Sequence, residues 1–254
     1  MSQSHTEHQL IHCKNCGNNF HGHYCNNCGQ DAHQDKIDKH FIYHEIQHGL
    51  FHIDKGILYT LKELFTNPGN TIRLFVDGKR VKHFKPLAFL ILMAGLYAFV
   101  NHYFNANIIL TGPTGVKTAD NSIQAVNDYI KEHFEFFVLL ELPLISFVYY
   151  LFFRRYGTNY IEQLVINAYI SGLRTFLMIL LLPVSYYFTI AGHIMDILLP
   201  IFILVWAYPQ YYHEKPRAQV VWRAIVGYII FYLLLITILS IIITLLASFP
   251  KLIA

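Results

Sequence analysis

The sequence predicts a mainly α-helical membrane protein with a small metal-binding module at its N-terminal end. Hydrophobic residues make up 54% of the 254 residues and charged residues 14%, whereas a soluble domain carries about 25% charged residues. Residues 86–254 contain apolar runs of the length that crosses a bilayer, about 20 residues each. All four cysteines lie in the first 28 residues. We therefore divide the chain into a zinc ribbon (1–33), His-rich amphipathic juxtamembrane helices (34–85) and a transmembrane helical domain (86–254).

The four cysteines form two C-x-x-C-G units, in which the cysteines are Cys13, Cys16, Cys25 and Cys28. A gap of two residues lets both thiolates of a unit face one ion, and the following glycine can adopt the positive φ that such a turn needs. A redox dithiol is the rival interpretation, but the segment lacks the βαβ pattern that such motifs accompany. Four thiolates predict one structural zinc ion with no open position for a substrate. A segment this short depends on its metal to fold.

Residues 40–65 predict an amphipathic helix that carries a stripe of imidazoles. The stripe consists of His40, His44, His48 and His52, spaced four residues apart, which keeps successive side chains close on one face. Residues 44–48 also match H-E-x-x-H, the metalloprotease pattern of two His ligands and a Glu base. His44, His48 and His52 are therefore possible ligands of a second metal, although no third catalytic ligand follows at a familiar spacing. The alternatives are a polar face along the lipid headgroups and a non-catalytic metal-binding or proton-sensing role.

A basic segment joins this helix to the membrane domain. Pro68-Gly69 is predicted to end the histidine helix, and Asn70 or Thr71 to cap a short second helix. Lys and Arg residues between Lys79 and Lys85 place positive charge at the headgroups, where each contributes about 1 kcal/mol on anionic lipid. We favour a membrane anchor over a phosphate-ligand site for this cluster.

Five membrane spans are predicted from the apolar runs. They are Pro86–Phe104, Phe134–Phe153, Ile161–Phe188, Ile194–Tyr212 and Ala224–Phe249. Loops on the predicted cytoplasmic side hold ten Lys and Arg residues, and those on the other side hold three. Because Lys and Arg concentrate in cytoplasmic loops, we expect the N-terminus in the cytoplasm and the C-terminus outside. A re-entrant pair in place of the third and fourth spans is the alternative.

Two opposite charges fall inside the predicted spans. Glu141 lies in the second span and Arg174 in the third, and ionisable groups at such depth face a partner or an aqueous cavity. Their predicted offset along the membrane normal is about 9 Å, from a rise of about 1.5 Å per residue, which an arginine side chain can bridge. We expect a structural ion pair, with a binding or transport site as the alternative.

The stretch before the first span carries the pattern T-L-K-x-L, followed by P-G and then G-K-R. The residues concerned are Thr60, Leu61, Lys62, Leu64, Pro68, Gly69, Gly78, Lys79, Arg80, Lys85 and Pro86. With the C-x-x-C-G pair ahead of it, this stretch resembles a large family of uncharacterised bacterial membrane proteins, a domain of unknown function. Weaker similarity reaches residues 160–165, where Gln163 departs from the family's Glu-His. The resemblance implies an integral protein of the bacterial inner membrane and brings no activity with it.

These observations favour a non-enzymatic membrane protein in which the ribbon has a docking, assembly or regulatory role. We expect its partners to be the lipid bilayer and a protein on the cytoplasmic side. Nucleic acid is not expected, since Lys14 is the one basic residue between Cys13 and Cys28, and phosphate binding needs several. The alternatives are a small transporter or channel that uses Glu141 and Arg174, and a membrane metallohydrolase that uses the H-E-x-x-H match.

Overall fold

The computed structural model describes residues 10–32, 56–104 and 133–248, together with residues 37, 41, 126 and 129. The predicted histidine helix falls mostly outside these ranges. Its four histidines and the H-E-x-x-H match all lie outside the described residues, so these hypotheses stay predictions. Helices dominate the described part of the chain, and the only two strands there belong to the cysteine-rich segment.

Two short strands, β1 (Ile11–His12) and β2 (Asn19–Phe20), form an antiparallel pair around the first C-x-x-C-G unit. His12 lies opposite Asn19 in this pair. An isolated antiparallel bridge joins Tyr24 to Asp31 around the second unit. Each residue of this bridge lies twelve positions after its counterpart in the first pair. The two units therefore have the same local fold.

The juxtamembrane segment forms two helices, α1 (Gly56–Thr66) and α2 (Pro68–Val76). The predicted start of the second helix at Asn70 or Thr71 is wrong, because α2 begins at Pro68 with Asn67 as the N-cap residue. Proline suits the first turn of a helix, where its missing N–H leaves no hydrogen bond unmade. Thr71 does not cap the helix but donates its hydroxyl to the Asn67 carbonyl at 2.8 Å.

Five apolar helices follow. They are α3 (Pro86–Phe104), α4 (Phe134–Phe153), α5 (Tyr160–Tyr187), α6 (Thr189–Tyr211) and α7 (Arg217–Ser248). The bounds of α3 and α4 agree with the predicted spans. By contrast, α6 begins five residues before Ile194, and α7 begins seven residues before Ala224. Arg217, Gln219 and Arg223 interrupt the apolar pattern at the start of α7, so the predicted span began only after them.

Three segments are long and apolar enough to cross a membrane: Phe136–Tyr156, Tyr160–Val184 and Arg217–Leu245. Pro86–His102 and Ile197–Tyr211 are shorter apolar helices. These features indicate a membrane protein, while the count of five spans stays a prediction. Helix α5 lies at the centre of the bundle, where Val165, Ala168 and Tyr169 are fully buried, and it packs against α3, α4 and α6.

Candidate metal centre and its contact with the juxtamembrane segment

The four cysteine sulfurs converge on one point. All four Sγ atoms lie within 4.8 Å of one another, with 3.5 Å between those of Cys13 and Cys28 and 3.6 Å between those of Cys16 and Cys25. A tetrahedral zinc ion with Zn–S bonds of about 2.3 Å separates its sulfur ligands by roughly 3.8 Å. The four side chains therefore form a possible metal site whose size and donor set suit one tetrahedral ion.

Backbone geometry shapes both cysteine units in the same way. Gly17 and Gly29 each have a φ of +75°, a conformation that strains residues with a side chain. The N–H of Gly17 donates to the Cys13 carbonyl at 2.9 Å, and the N–H of Gly29 donates to the Cys25 carbonyl at 2.8 Å. The expected role of these two glycines in turning the chain back towards the sulfurs agrees with this geometry.

The thiols differ in how readily they ionise. Burial raises the pKa of Cys13 to about 11, whereas a hydrogen bond from the backbone of Asn18 lowers that of Cys16. At Cys25 and Cys28 burial opposes ionisation, but several hydrogen bonds together outweigh it and lower the pKa of each thiol. The thiolate is the form that binds metal, and the lowered pKa of Cys16, Cys25 and Cys28 makes it easier to form at these three residues.

One residue directly after the second cysteine unit contacts the juxtamembrane segment. Gln30 is 3% exposed, and its Nε2 donates a hydrogen bond to the Gly78 carbonyl at 2.8 Å. The backbone N–H of Arg80 donates to the Gln30 Oε1 at 3.3 Å. The side-chain amide thus pairs with the backbone of residues 78–80 through both its donor and its acceptor. Sequence reasoning missed Gln30, because a single glutamine beside a cysteine motif carries no distinctive pattern.

The basic segment after α2 is also held by aromatic rings. The Arg80 guanidinium lies 4.7 Å from the ring centroid of Phe41 and 5.4 Å from that of Phe75, and its Nε donates to the Phe75 carbonyl at 3.3 Å. Lys82 Nζ lies 5.9 Å from the ring centroid of Tyr59. These two cations of the predicted headgroup cluster therefore pack against the protein itself.

The two charges predicted inside the membrane are in contact. Arg174 Nη2 on α5 donates to Glu141 Oε2 on α4 at 3.4 Å, with side chains that are 14% and 12% exposed. Arg174 Nε and the Tyr228 hydroxyl are buried without a hydrogen-bond partner among the described residues. The arrangement joins α4 to α5 and leaves two polar groups unpaired.

A buried polar network that sequence analysis did not predict connects α5 to α6. Gln163 Nε2 donates to the Tyr212 hydroxyl at 2.7 Å and to Thr158 Oγ1 at 3.0 Å. The Tyr208 hydroxyl lies within hydrogen-bond distance of Gln163 Oε1 (3.2 Å) and of Asn167 Oδ1 (3.1 Å). Polar residues at 163 and 167, one turn apart in an apolar helix, were the available signal. Networks paired in this way fix one packing of the helices, which favours a structural role.

A protein-family model matches part of the chain. The model of a family described as "Protein of unknown function (DUF3667)" matches residues 54–98, which span α1, α2, the basic segment and most of α3. This match confirms the resemblance to a family of unknown function over those residues. Neither the curated proteins nor the solved structures contain a significant match to the chain.

Proposed function

We propose that this is a non-enzymatic integral protein of the bacterial inner membrane, whose zinc-loaded ribbon lies on the cytoplasmic side and holds the juxtamembrane segment for an assembly or regulatory role. The observation that carries the proposal is the double hydrogen bond between Gln30 and the backbone of residues 78–80. The partner that uses this surface is a cytoplasmic protein, and the bilayer holds the rest of the chain.

The position of Gln30 links this contact to the metal. Gln30 follows Cys28-Gly29 directly, and its carbonyl accepts the N–H of Cys25 at 2.8 Å, so the second cysteine unit fixes its backbone. A ribbon of this size folds only with its ion. Each of the two hydrogen bonds contributes about 0.5–1.5 kcal/mol net. Metal loss therefore removes both bonds and releases residues 78–80 from the ribbon.

Hydrogen exchange measured by mass spectrometry on the full-length protein in detergent tests this role. In the zinc-loaded protein we expect Gln30→Ala to keep one zinc per chain and to speed exchange in residues 76–85. Asn18→Ala is the matched control, because Asn18 holds the equivalent position in the first unit and its side-chain amide bonds to Asn26 within the ribbon. Chelation should reproduce the effect of Gln30→Ala. Unchanged protection of residues 76–85 in both the Gln30 variant and the chelated protein contradicts the proposal.

Transport through the membrane domain is the second candidate function, and the buried polar atoms beside the ion pair that have no hydrogen-bond partner among the described residues, Arg174 Nε and the Tyr228 hydroxyl, are the observation behind it. Under that hypothesis, Glu141→Gln abolishes flux across proteoliposomes while the protein stays folded. If the pair is structural, the same substitution lowers the unfolding midpoint because it leaves Arg174 without its buried partner. The two measurements on one variant separate the two functions.

A further inference from the structure

A cleft of about 510 Å³ lies at the turn between α4 and α5. Phe147 and Tyr150 of α4 form one wall, Arg154 and Gly157 form the turn, and residues 158–160 close the other side. Neither the ribbon nor the Glu141–Arg174 pair lines this cleft. The residues that line the cleft therefore determine which ligand it can bind.

The cleft is apolar at one end and cationic at the other. Phe147 lies within the apolar segment Phe136–Tyr156 and is 51% exposed. Arg154 follows seven residues later near the end of that segment, which places it about 10 Å further along the axis at a rise of about 1.5 Å per residue. A molecule that fills the cleft thus meets a ring at hydrocarbon depth and a guanidinium at the membrane–water interface.

The walls of the cleft are held in place by internal contacts. The Tyr160 hydroxyl donates to the Pro143 carbonyl at 3.3 Å, and its ring packs edge-on against that of Tyr150, with 6.4 Å between centroids. Thr158 Oγ1 lies 2.8 Å from the Tyr212 hydroxyl in the buried network. Binding sites of this kind are largely formed before their ligand arrives, and these contacts keep the cleft open.

Among the described residues that line it, the cleft carries one positive charge and no negative one. Arg154 is exposed, and its guanidinium makes no hydrogen bond or ion pair within the described part of the chain. The described residues that line the cleft include no Asp or Glu. The nearby Glu162 carboxylate accepts the N–H of Asn159 at 2.9 Å in the cap of α5. Because guanidinium binds phosphate through two parallel hydrogen bonds, Arg154 is suited to a phosphate group.

We propose that this cleft binds one anionic membrane phospholipid. Its phosphate contacts Arg154, and the first part of an acyl chain lies along Phe147 and Tyr150. Free phosphate uses only the cationic end and leaves the apolar wall uncovered, whereas a phospholipid covers both.

Native mass spectrometry of the full-length protein, released from detergent and titrated with phosphatidylglycerol, tests this site. We expect one tightly bound lipid per chain, and Arg154→Gln should weaken its binding about tenfold, which corresponds to about 1.4 kcal/mol. Arg155→Gln is the matched control, because it removes the same charge from the neighbouring exposed position outside the cleft lining. Phe147→Ser should also weaken binding, since it removes the apolar wall and leaves Arg154 in place.

Two further titrations distinguish a phospholipid ligand from other anions. Phosphatidylethanolamine, which carries no net charge, should bind at least tenfold more weakly, and inorganic phosphate at millimolar concentration should not displace the bound phosphatidylglycerol. If the Arg154 and Arg155 variants lose the same amount of affinity for phosphatidylglycerol, the lipid is held by general attraction to the basic surface, and the proposed site is wrong. Displacement by phosphate, with no effect of Phe147→Ser, overturns the lipid in favour of a free phosphate. Unfolding midpoints of the variants, measured in the same detergent, show whether a variant that binds less lipid is also less stable. If lipid binding falls only in variants that are also unfolded, the result counts against the site.

Discussion

Gly69, near the start of α2, packs directly against α6 of the membrane domain. A Cβ atom at this position would lie 2.0 Å from the Ala207 carbonyl oxygen and 2.6 Å from the Tyr211 backbone nitrogen, both in α6. The Gly69 N–H also donates to Gln210 Oε1 at 3.1 Å. Because two of these neighbours are backbone atoms, a rotamer change cannot make room, and the two helices must separate.

Gly69→Ala should therefore destabilise the protein by about 2–4 kcal/mol. Overpacking costs about 1–3 kcal/mol, and a hydrogen bond lost on separation adds about 0.5–1.5 kcal/mol. The midpoint and slope of unfolding in a denaturing detergent, followed by circular dichroism, measure the change. Gly95→Ala in α3 is the control: no atom lies within 4 Å of its Cβ position, so it should gain about 0.5–1 kcal/mol from better helix propensity. Equal stability of the Gly69 and Gly95 variants would refute the close packing of α2 on α6.

Three further predictions concern the metal and the histidines. Cys25→Ser should abolish stoichiometric zinc binding, measured by elemental analysis, and speed exchange in residues 76–85, because a three-thiolate site holds its ion less tightly. Zinc should stay at one ion per chain in both the wild type and His48→Ala, and a fall from two ions to one would instead support the metallohydrolase. Burial lowers the pKa of His83 below its usual value near 6.5, so the unfolded chain takes up the proton first and stability falls as the pH drops below about 6.5. His83→Phe should lose less stability between about pH 7.5 and 5.5, measured by thermal unfolding, than the wild type loses.

The parts of the fold that depend on one local pattern were predictable from sequence. Hydrophobic run length gave the bounds of α3 and α4, because the apolar residues end where the helices end. Cysteine spacing gave the cluster of sulfurs, since two residues between thiols leave few other arrangements. The first two turns of α7 were not predictable in this way, because Arg217, Gln219 and Arg223 interrupt the apolar run there although the segment is helical.

Contacts between distant parts of the chain could not be read from local patterns. Gln30 and Gly78 are 48 residues apart, and their pairing depends on how the ribbon sits against the loop after α2. The same holds for Gln163 and Tyr208, whose polar groups become a buried network only when α5 and α6 pack together. A polar residue in an apolar helix indicates a partner, but its sequence neighbours do not identify that partner.

The position of these contacts limits how far a change at the metal centre spreads. The ribbon holds residues 78–80, whereas the ends of that segment are fixed by bonds that involve no cysteine. On the far side, the Phe84 N–H donates to Thr60 Oγ1 at 2.6 Å and the Phe84 carbonyl accepts from the Tyr169 hydroxyl at 2.6 Å. On the near side, Gly69 is held against α6. Loss of the ion therefore removes the ribbon's two hydrogen bonds from a short basic stretch. The N–H groups of Gly78 and Lys79 keep their bonds to the carbonyls of Phe75 and Leu74, and α1, α2 and the helical bundle keep their packing. A local change of this kind suits a regulatory contact better than a requirement for folding of the whole protein.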